Sequence, residues 1–202
     1  MSNSVLKLAF VALVTISATY AGKCPEIEPI QDFNLTGFLG TWHEIERFPN
    51  RYEYFTSCVV SDYKVTGTDD AGTTMKIDMD FVRFYKSSSG SLDTLYRKGD
   101  TKGEFIIMPE YETEPNAFIL ATDYKTYALQ YSCEESFLWG TVEMASILSR
   151  SQEISADITA KLKQIIDDMG SDSSKFEEPE HQNCPGTPGY PESRPFKWVN
   201  FS

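Results

Sequence analysis

Two histidines, His43 and His181, and four cysteines, Cys24, Cys58, Cys133 and Cys184, are the side chains best suited to hold a metal or attack a substrate. None falls in a CxxC or HxxxH spacing, the local pairing from which zinc sites are built, so no metal centre is expected. A thiolate nucleophile needs a cysteine outside any disulfide, and the redox compartment governs that. The N-terminus speaks to the compartment. Residues 1–21 carry one charge, Lys7, then an apolar run from Leu8 to Ile16 and small residues ending at Ala21, the pattern of a secretory signal peptide. The protein is therefore expected to be secreted and extracellular, its mature part beginning near Gly22. The apolar run is too short to cross about 30 Å of hydrocarbon as a helix, and no later segment is longer, so no transmembrane segment is expected. In an oxidising compartment four cysteines are expected to form two bridges, in any of three pairings. Asn34-Leu35-Thr36 is a glycan acceptor sequence, as is Asn200-Phe201-Ser202 at the end of the chain.

Charge narrows the partners. With 18 basic against 30 acidic residues, a net charge of −12 and a pI near 4.6, the surface repels phosphate backbones and anionic leaflets, which excludes nucleic acid. The 202 residues, 41% of them hydrophobic, suffice for one domain with a buried core.

The elements that must position any site are β-strands. From Thr41 to about Arg150 short segments rich in Val, Ile, Tyr, Phe and Thr alternate with turn-forming residues, which predicts an antiparallel all-β domain. Eight segments stand out: Thr41 to Phe48, Ser57 to Thr66, Thr73 to Tyr85, Leu92 to Lys98, Gly103 to Pro109, Asn116 to Thr122, Thr126 to Cys133 and Leu138 to Ser149. The connections include Gly67 to Gly72 and the serine run Ser87 to Ser91. Met75, Ile77, Met79 and Phe81 alternate with Lys76, Asp78 and Asp80, as a sheet with one dry and one wet face requires. Eight such strands can close into an up-and-down barrel with room for one small ligand. Ile154, Ile158, Leu162, Ile165, Ile166 and Met169 recur at spacings of three and four, predicting one C-terminal α-helix packed outside the barrel, with Ser155 as N-cap and Gly170 as stop. The expected organisation is a signal peptide over 1–21, the barrel domain over 22–184 and a Pro-rich tail over 185–202. The tail aromatics Tyr190, Phe196, Trp198 and Phe201 are candidates for docking on a partner, a membrane surface or the barrel itself.

Gly40-Thr41-Trp42 opens the first strand, Thr122-Asp123-Tyr124 lies in the turn before the seventh, and Arg150 follows the eighth. In this order and spacing the three motifs resemble those of the lipocalin family. Trp42-His-Glu-Ile-Glu46, Cys24-Pro25, Asn183-Cys184-Pro185 and the stretch from Ile119 to Cys133 are similar to the branch that holds apolipoprotein D, retinol-binding protein and the insect bilin-binding proteins. The resemblance implies disulfides Cys24–Cys133 and Cys58–Cys184, hence no thiol free for covalent catalysis and no enzyme. It also implies a barrel floor in which Arg150 lies across the indole of Trp42, with Asp123 as a turn residue.

If Arg150 points inward, the period of two places Leu148, Ser146, Met144 and Val142 on the inner face. Alternation with the resemblance adds Ala128, Gln130 and Ser132 in the seventh strand and Ala117, Ile119 and Ala121 in the sixth. Ile107 joins them as a candidate ligand contact. Phe48, Tyr52, Tyr54 and Phe55 form a candidate aromatic lid between the first two strands, while His43, of opposite parity to Trp42, should face outward. The expected function is a secreted carrier of one small hydrophobic molecule. The resemblance offers retinoids, fatty acids, sterols and bilins such as biliverdin as ligands, with no cofactor required; the open mouth and the aromatic tail make a receptor or lipoprotein particle a candidate partner.

Overall fold

The computed structural model describes residues 23–179 and 184, apart from 52, 85 and 137–139. The expected signal peptide, the tail after Cys184, His181 and Tyr52 therefore lie outside the described residues. Eight antiparallel strands follow one another around a closed barrel: β1 (Gly40–Arg47), β2 (Thr56–Thr68), β3 (Gly72–Arg83), β4 (Lys86–Arg97), β5 (Glu104–Ile107), β6 (Ala117–Thr122), β7 (Tyr127–Ser136) and β8 (Gly140–Ser149). Strand β8 pairs back onto β1, with His43 opposite Ser149, so the sheet has no free edge of the kind that invites aggregation. A single turn of helix, α1 (Leu35–Phe38), precedes β1, and α2 (Ala156–Asp168) follows β8.

The serine run is not a loop. β3 and β4 pair without interruption from Arg83 opposite Lys86 to Gly72 opposite Arg97, so Ser87 to Ser91 lie within β4. Ladder hydrogen bonds come from the backbone whatever the side chain, and a long, cleanly alternating β3 supplies partners for every residue of a weak strand former. Gly90 is not required by packing: a Cβ at this position would lie 3.8 and 3.9 Å from Met79 and Phe81, at ordinary contact distance.

Side chains sort onto two faces. Trp42, Tyr63, Met75, Ile77, Phe105 and Leu148 meet inside the barrel, together with Phe33 and Phe38 from the segment before β1. Leu129, Tyr131, Ala145 and Ile147 point outward and are covered by Leu162 and Ile166 of α2. Ser155 is the N-cap residue of α2, although its side chain makes no capping bond, and Gly170 ends the helical segment with φ +91°.

Two β-bulges break the period of two, and each corrects an expectation. Between Glu44 and Glu46 the β1–β8 register slips, so that Ile45 packs on the outer cluster and Glu46 pairs with Lys163 of α2 at 2.6 Å. The slip carries Phe48 outward as well: its ring lies 4.6 Å from that of Phe176, and it belongs to the outer cluster, not to a lid over the mouth. The second slip lies between Ile119 and Ala121 and turns Leu120 and Ala121 together toward the outer cluster, so Ala121 does not line the interior.

Two disulfides tie the segments on either side of the barrel strands back to the barrel. Cys24 is bonded to Cys133 of β7, and Cys58 of β2 to Cys184. All four cysteines are thereby used.

Candidate functional site

The barrel is closed at the end where β1 begins. Asn34 caps α1, its side-chain oxygen accepting from the Gly37 N–H. So short a helix leaves its C-terminal carbonyls unpaired by its own backbone, and Arg150 meets them. Its Nη2 donates to the carbonyls of Gly37, Phe38 and Leu39 at 3.0–3.1 Å, its Nη1 to Thr41 at 2.8 Å and its Nε to Tyr124 at 3.2 Å. The guanidinium carbon stands 3.6 Å from the centroid of the Trp42 ring, a cation–π contact. The indole itself donates to Phe38 O at 2.8 Å. Beside this plug, Asp123 Oδ1 accepts from the N–H groups of Lys125, Thr126 and Tyr127. Burial pushes the Asp123 carboxyl up, but these backbone bonds outweigh it and hold it below its ordinary value. The residue fixes a turn.

Above the plug the inner wall opens. Ala117, Ile119 and Ala128 are buried inside the aromatic cluster, so they belong to its packing and face no open space. Ile107 is half-buried at the edge of the same cluster. Gln130, Ser132, Val142, Met144 and Ser146 are also only half-buried. Their partners in register share the inner face, Gln130 opposite Ser146 and Ser132 opposite Met144. Inner-face residues of a closed barrel can be reached by water only through its lumen, so their partial exposure marks an accessible interior.

An acidic group that the expected lining leaves out sits in this wall. Glu44 lies on the inner face of β1, two residues from Trp42. Its Oε1 accepts from Arg47 Nη1 at 3.0 Å and its Oε2 from Ser146 Oγ at 3.2 Å. Arg47 is nearly filled by other bonds, to Thr56 Oγ1 and to the carbonyls of Glu53 and Thr56, which pin the β1–β2 connection to the barrel rim. Tyr63 donates to Gln130 Oε1 at 2.8 Å. The same period-two rule that selected Ser146 would have selected Glu44 from Trp42.

Burial pushes the Glu44 carboxyl up to about 8, with Glu53 adding to the effect and Arg47 opposing it. The folded state thus holds this proton more tightly than the unfolded chain, where the group titrates near 4.5. The resulting stability is fully present below the unfolded value and is lost as pH rises through the folded one. The urea midpoint of the protein is expected to fall between pH 6 and pH 9, and Glu44→Gln is expected to flatten that slope; equilibrium unfolding across the range checks it.

The other end of the barrel carries exposed aromatics. Tyr54 and Phe55 in the β1–β2 connection, Phe84 after β3 and Tyr111 after β5 are 62%, 71%, 63% and 74% exposed. The Phe55 and Phe84 rings are 5.0 Å apart. Both residues hold positive φ, 61° and 49°, strained for a bulky side chain. Tyr54 and Phe55 thus stand on the rim, where a lid was expected.

A sealed floor, a closed eight-stranded wall and an interior reached from one end define a barrel built to enclose a small molecule. The chain belongs to the Lipocalin / cytosolic fatty-acid binding protein family, whose model matches residues 39–183; its members are generally binding and transport proteins. Insecticyanin-B of Manduca sexta is 32% identical over 136 residues, which cover 63% of this chain and 64% of that protein, slightly under two thirds of its length. The solved insecticyanin structure superposes with a TM-score of 0.65 at 25% identity, covering 80% of this chain and 87% of that one. Apolipoprotein D of Mus musculus is 29% identical over 174 residues, 82% of this chain and 86% of its own. The bilin-binding protein of Pieris brassicae is 27% identical over 182 residues, 84% and 89% respectively.

Proposed function

We propose that this protein is a secreted carrier that holds one small hydrophobic ligand, a retinoid, fatty acid, sterol or similar lipid, in the barrel lumen and performs no reaction on it. The observation that carries the reading is the half-buried inner wall of Gln130, Ser132, Val142, Met144 and Ser146 above a floor closed by Trp42 and Arg150. Such a wall binds by removing apolar surface from water, at about 25 cal/mol per Å², while a few polar groups fix orientation. With every cysteine in a disulfide, the chain offers no thiolate for covalent chemistry. Glycosylation at the exposed Asn34 and exchange of ligand with a lipoprotein particle or receptor through the exposed rim belong to the same reading. Micromolar titration with a panel of these lipids should quench tryptophan fluorescence; failure of the whole panel would overturn it.

A second reading is favoured by the insect relatives: the ligand is a bilin such as biliverdin, and the protein a pigment or tetrapyrrole store. Protein purified from its source would then show a visible absorbance band, and a colourless preparation decides for the lipid.

A further inference from the structure

We propose that the wall around Glu44 and Ser146 is a subsite for the oxyanion end of an amphiphilic ligand, an inference that rests on the carrier reading above. Gln130 and Ser146 are direct cross-strand partners on the inner face, which sets their side chains about 5 Å apart. Tyr63 donates to Gln130 Oε1, so the amide is turned with its Nε2 donor left for the lumen. Both residues are half-buried, within reach of a ligand, and the Ser146 hydroxyl donates to Glu44 Oε2 at 3.2 Å. The charged groups stand behind them: Glu44 and Arg47 have side chains only 5% exposed and are bonded to each other. The wall therefore leaves the Gln130 amide N–H to the cavity and keeps the Glu44 carboxyl covered, with the Ser146 hydrogen held by Glu44 while that carboxyl is ionised.

Glu44 controls the direction of one of those donors. When its carboxyl carries a proton at Oε2, that O–H donates to Ser146 Oγ, and the serine hydrogen is released to point at the ligand. When Glu44 is ionised, the serine hydrogen turns back to Oε2, and the ligand meets a lone pair with a negative charge behind it. The charged groups facing Glu44 are Arg47 on its own strand and Glu53 in the β1–β2 connection, with the hydroxyl of Tyr63 on β2. Glu177, beyond Arg47, has its carboxylate 3.8 Å from Nε and is half exposed to solvent, where its field is screened. Burial that holds the Glu44 proton to about pH 8 places the change of donor direction just above neutrality.

The test uses the folded, disulfide-bonded protein and ligands whose own charge does not change. Dodecanesulfonate, ionised throughout, and dodecanol, neutral throughout, compete against the uncharged fluorophore N-phenyl-1-naphthylamine at pH 6.5 and pH 9. Affinity for the sulfonate should fall roughly tenfold over that interval, as expected for loss of one hydrogen bond to a charged group, while affinity for dodecanol stays within about twofold. In Glu44→Gln, neutral at every pH, the ratio of the two affinities should no longer change with pH. A sulfonate-to-alcohol ratio that is flat in the wild-type protein overturns this subsite and leaves the carrier reading standing. The same slope in Glu44→Gln also overturns it, because another group then carries the titration. If neither ligand nor the fluorophore binds at either pH, the carrier reading falls and the subsite with it.

Discussion

Replacing Arg150 by alanine is expected to destabilise the folded protein by about 3–5 kcal/mol, the sum expected for losing charged hydrogen bonds and a desolvated cation–π contact together. One guanidinium meets the carbonyls of Gly37, Phe38, Leu39, Thr41 and Tyr124 while covering the Trp42 ring. Removing it takes the donor from the Gly37, Leu39, Thr41 and Tyr124 carbonyls, leaves Phe38 O with the Trp42 N–H and opens the indole to water, so the loss combines unsatisfied acceptors with exposed apolar surface. Lysine is the informative control. A compact ammonium keeps the charge, but it cannot present the planar fork that reaches Tyr124 on one side and the α1 carbonyls on the other. Arg150→Lys should therefore recover less than half of the loss. Urea unfolding of both variants, compared at equal m-value, measures the two differences. A cost under 1 kcal/mol for alanine would show that the plug is ornamental to the barrel.

The part of this architecture that alternation made legible is the part where alternation is unbroken. β7 and β8 pair without a slip from Tyr127 opposite Ser149 to Ser136 opposite Gly140. Once Arg150 and Trp42 set the phase, Leu148, Ser146 and Gln130 follow by counting in twos. Ala121 falls at a bulge, where two successive residues face outward and the count in twos reverses; Phe48, grouped with the rim aromatics by its place between the first two strands, is turned onto the outer cluster by the slip in β1. Nothing in Glu44-Ile-Glu46 or Ile119-Leu-Ala121 announces a bulge, because the extra residue is selected by the neighbouring strand. The serine run of β4 was hidden differently. Its composition is that of a turn, and only the length of β3 beside it makes it a strand. Glu44 was in view as part of a motif, and its buried place between Arg47 and Ser146 needed the coordinates.

The upper wall and the closed floor should separate under mutation. Ser132→Trp sets an indole into the accessible lumen opposite Met144, where it takes the space a ligand would fill. A side chain of that size displaces on the order of 100 Å² of ligand contact, which at about 25 cal/mol per Å² is close to a hundredfold in Kd. Because the position is only half-buried on the inner face opposite Met144, folding stability should change by less than about 1 kcal/mol. Leu148→Ala is the opposite case. Leu148 is 4% exposed and packed in the cluster with Trp42 and Ala128, so its truncation should cost about 2–5 kcal/mol of stability through the cavity it leaves. It should leave Kd within a few-fold, provided the measurement is made where the variant is fully folded. Displacement of N-phenyl-1-naphthylamine by a common fatty acid gives one axis of the comparison and urea unfolding the other. Unchanged affinity in Ser132→Trp would place the ligand outside the barrel. Parallel losses of affinity and stability in both variants would mean that wall and floor form one packed core with no working lumen between them.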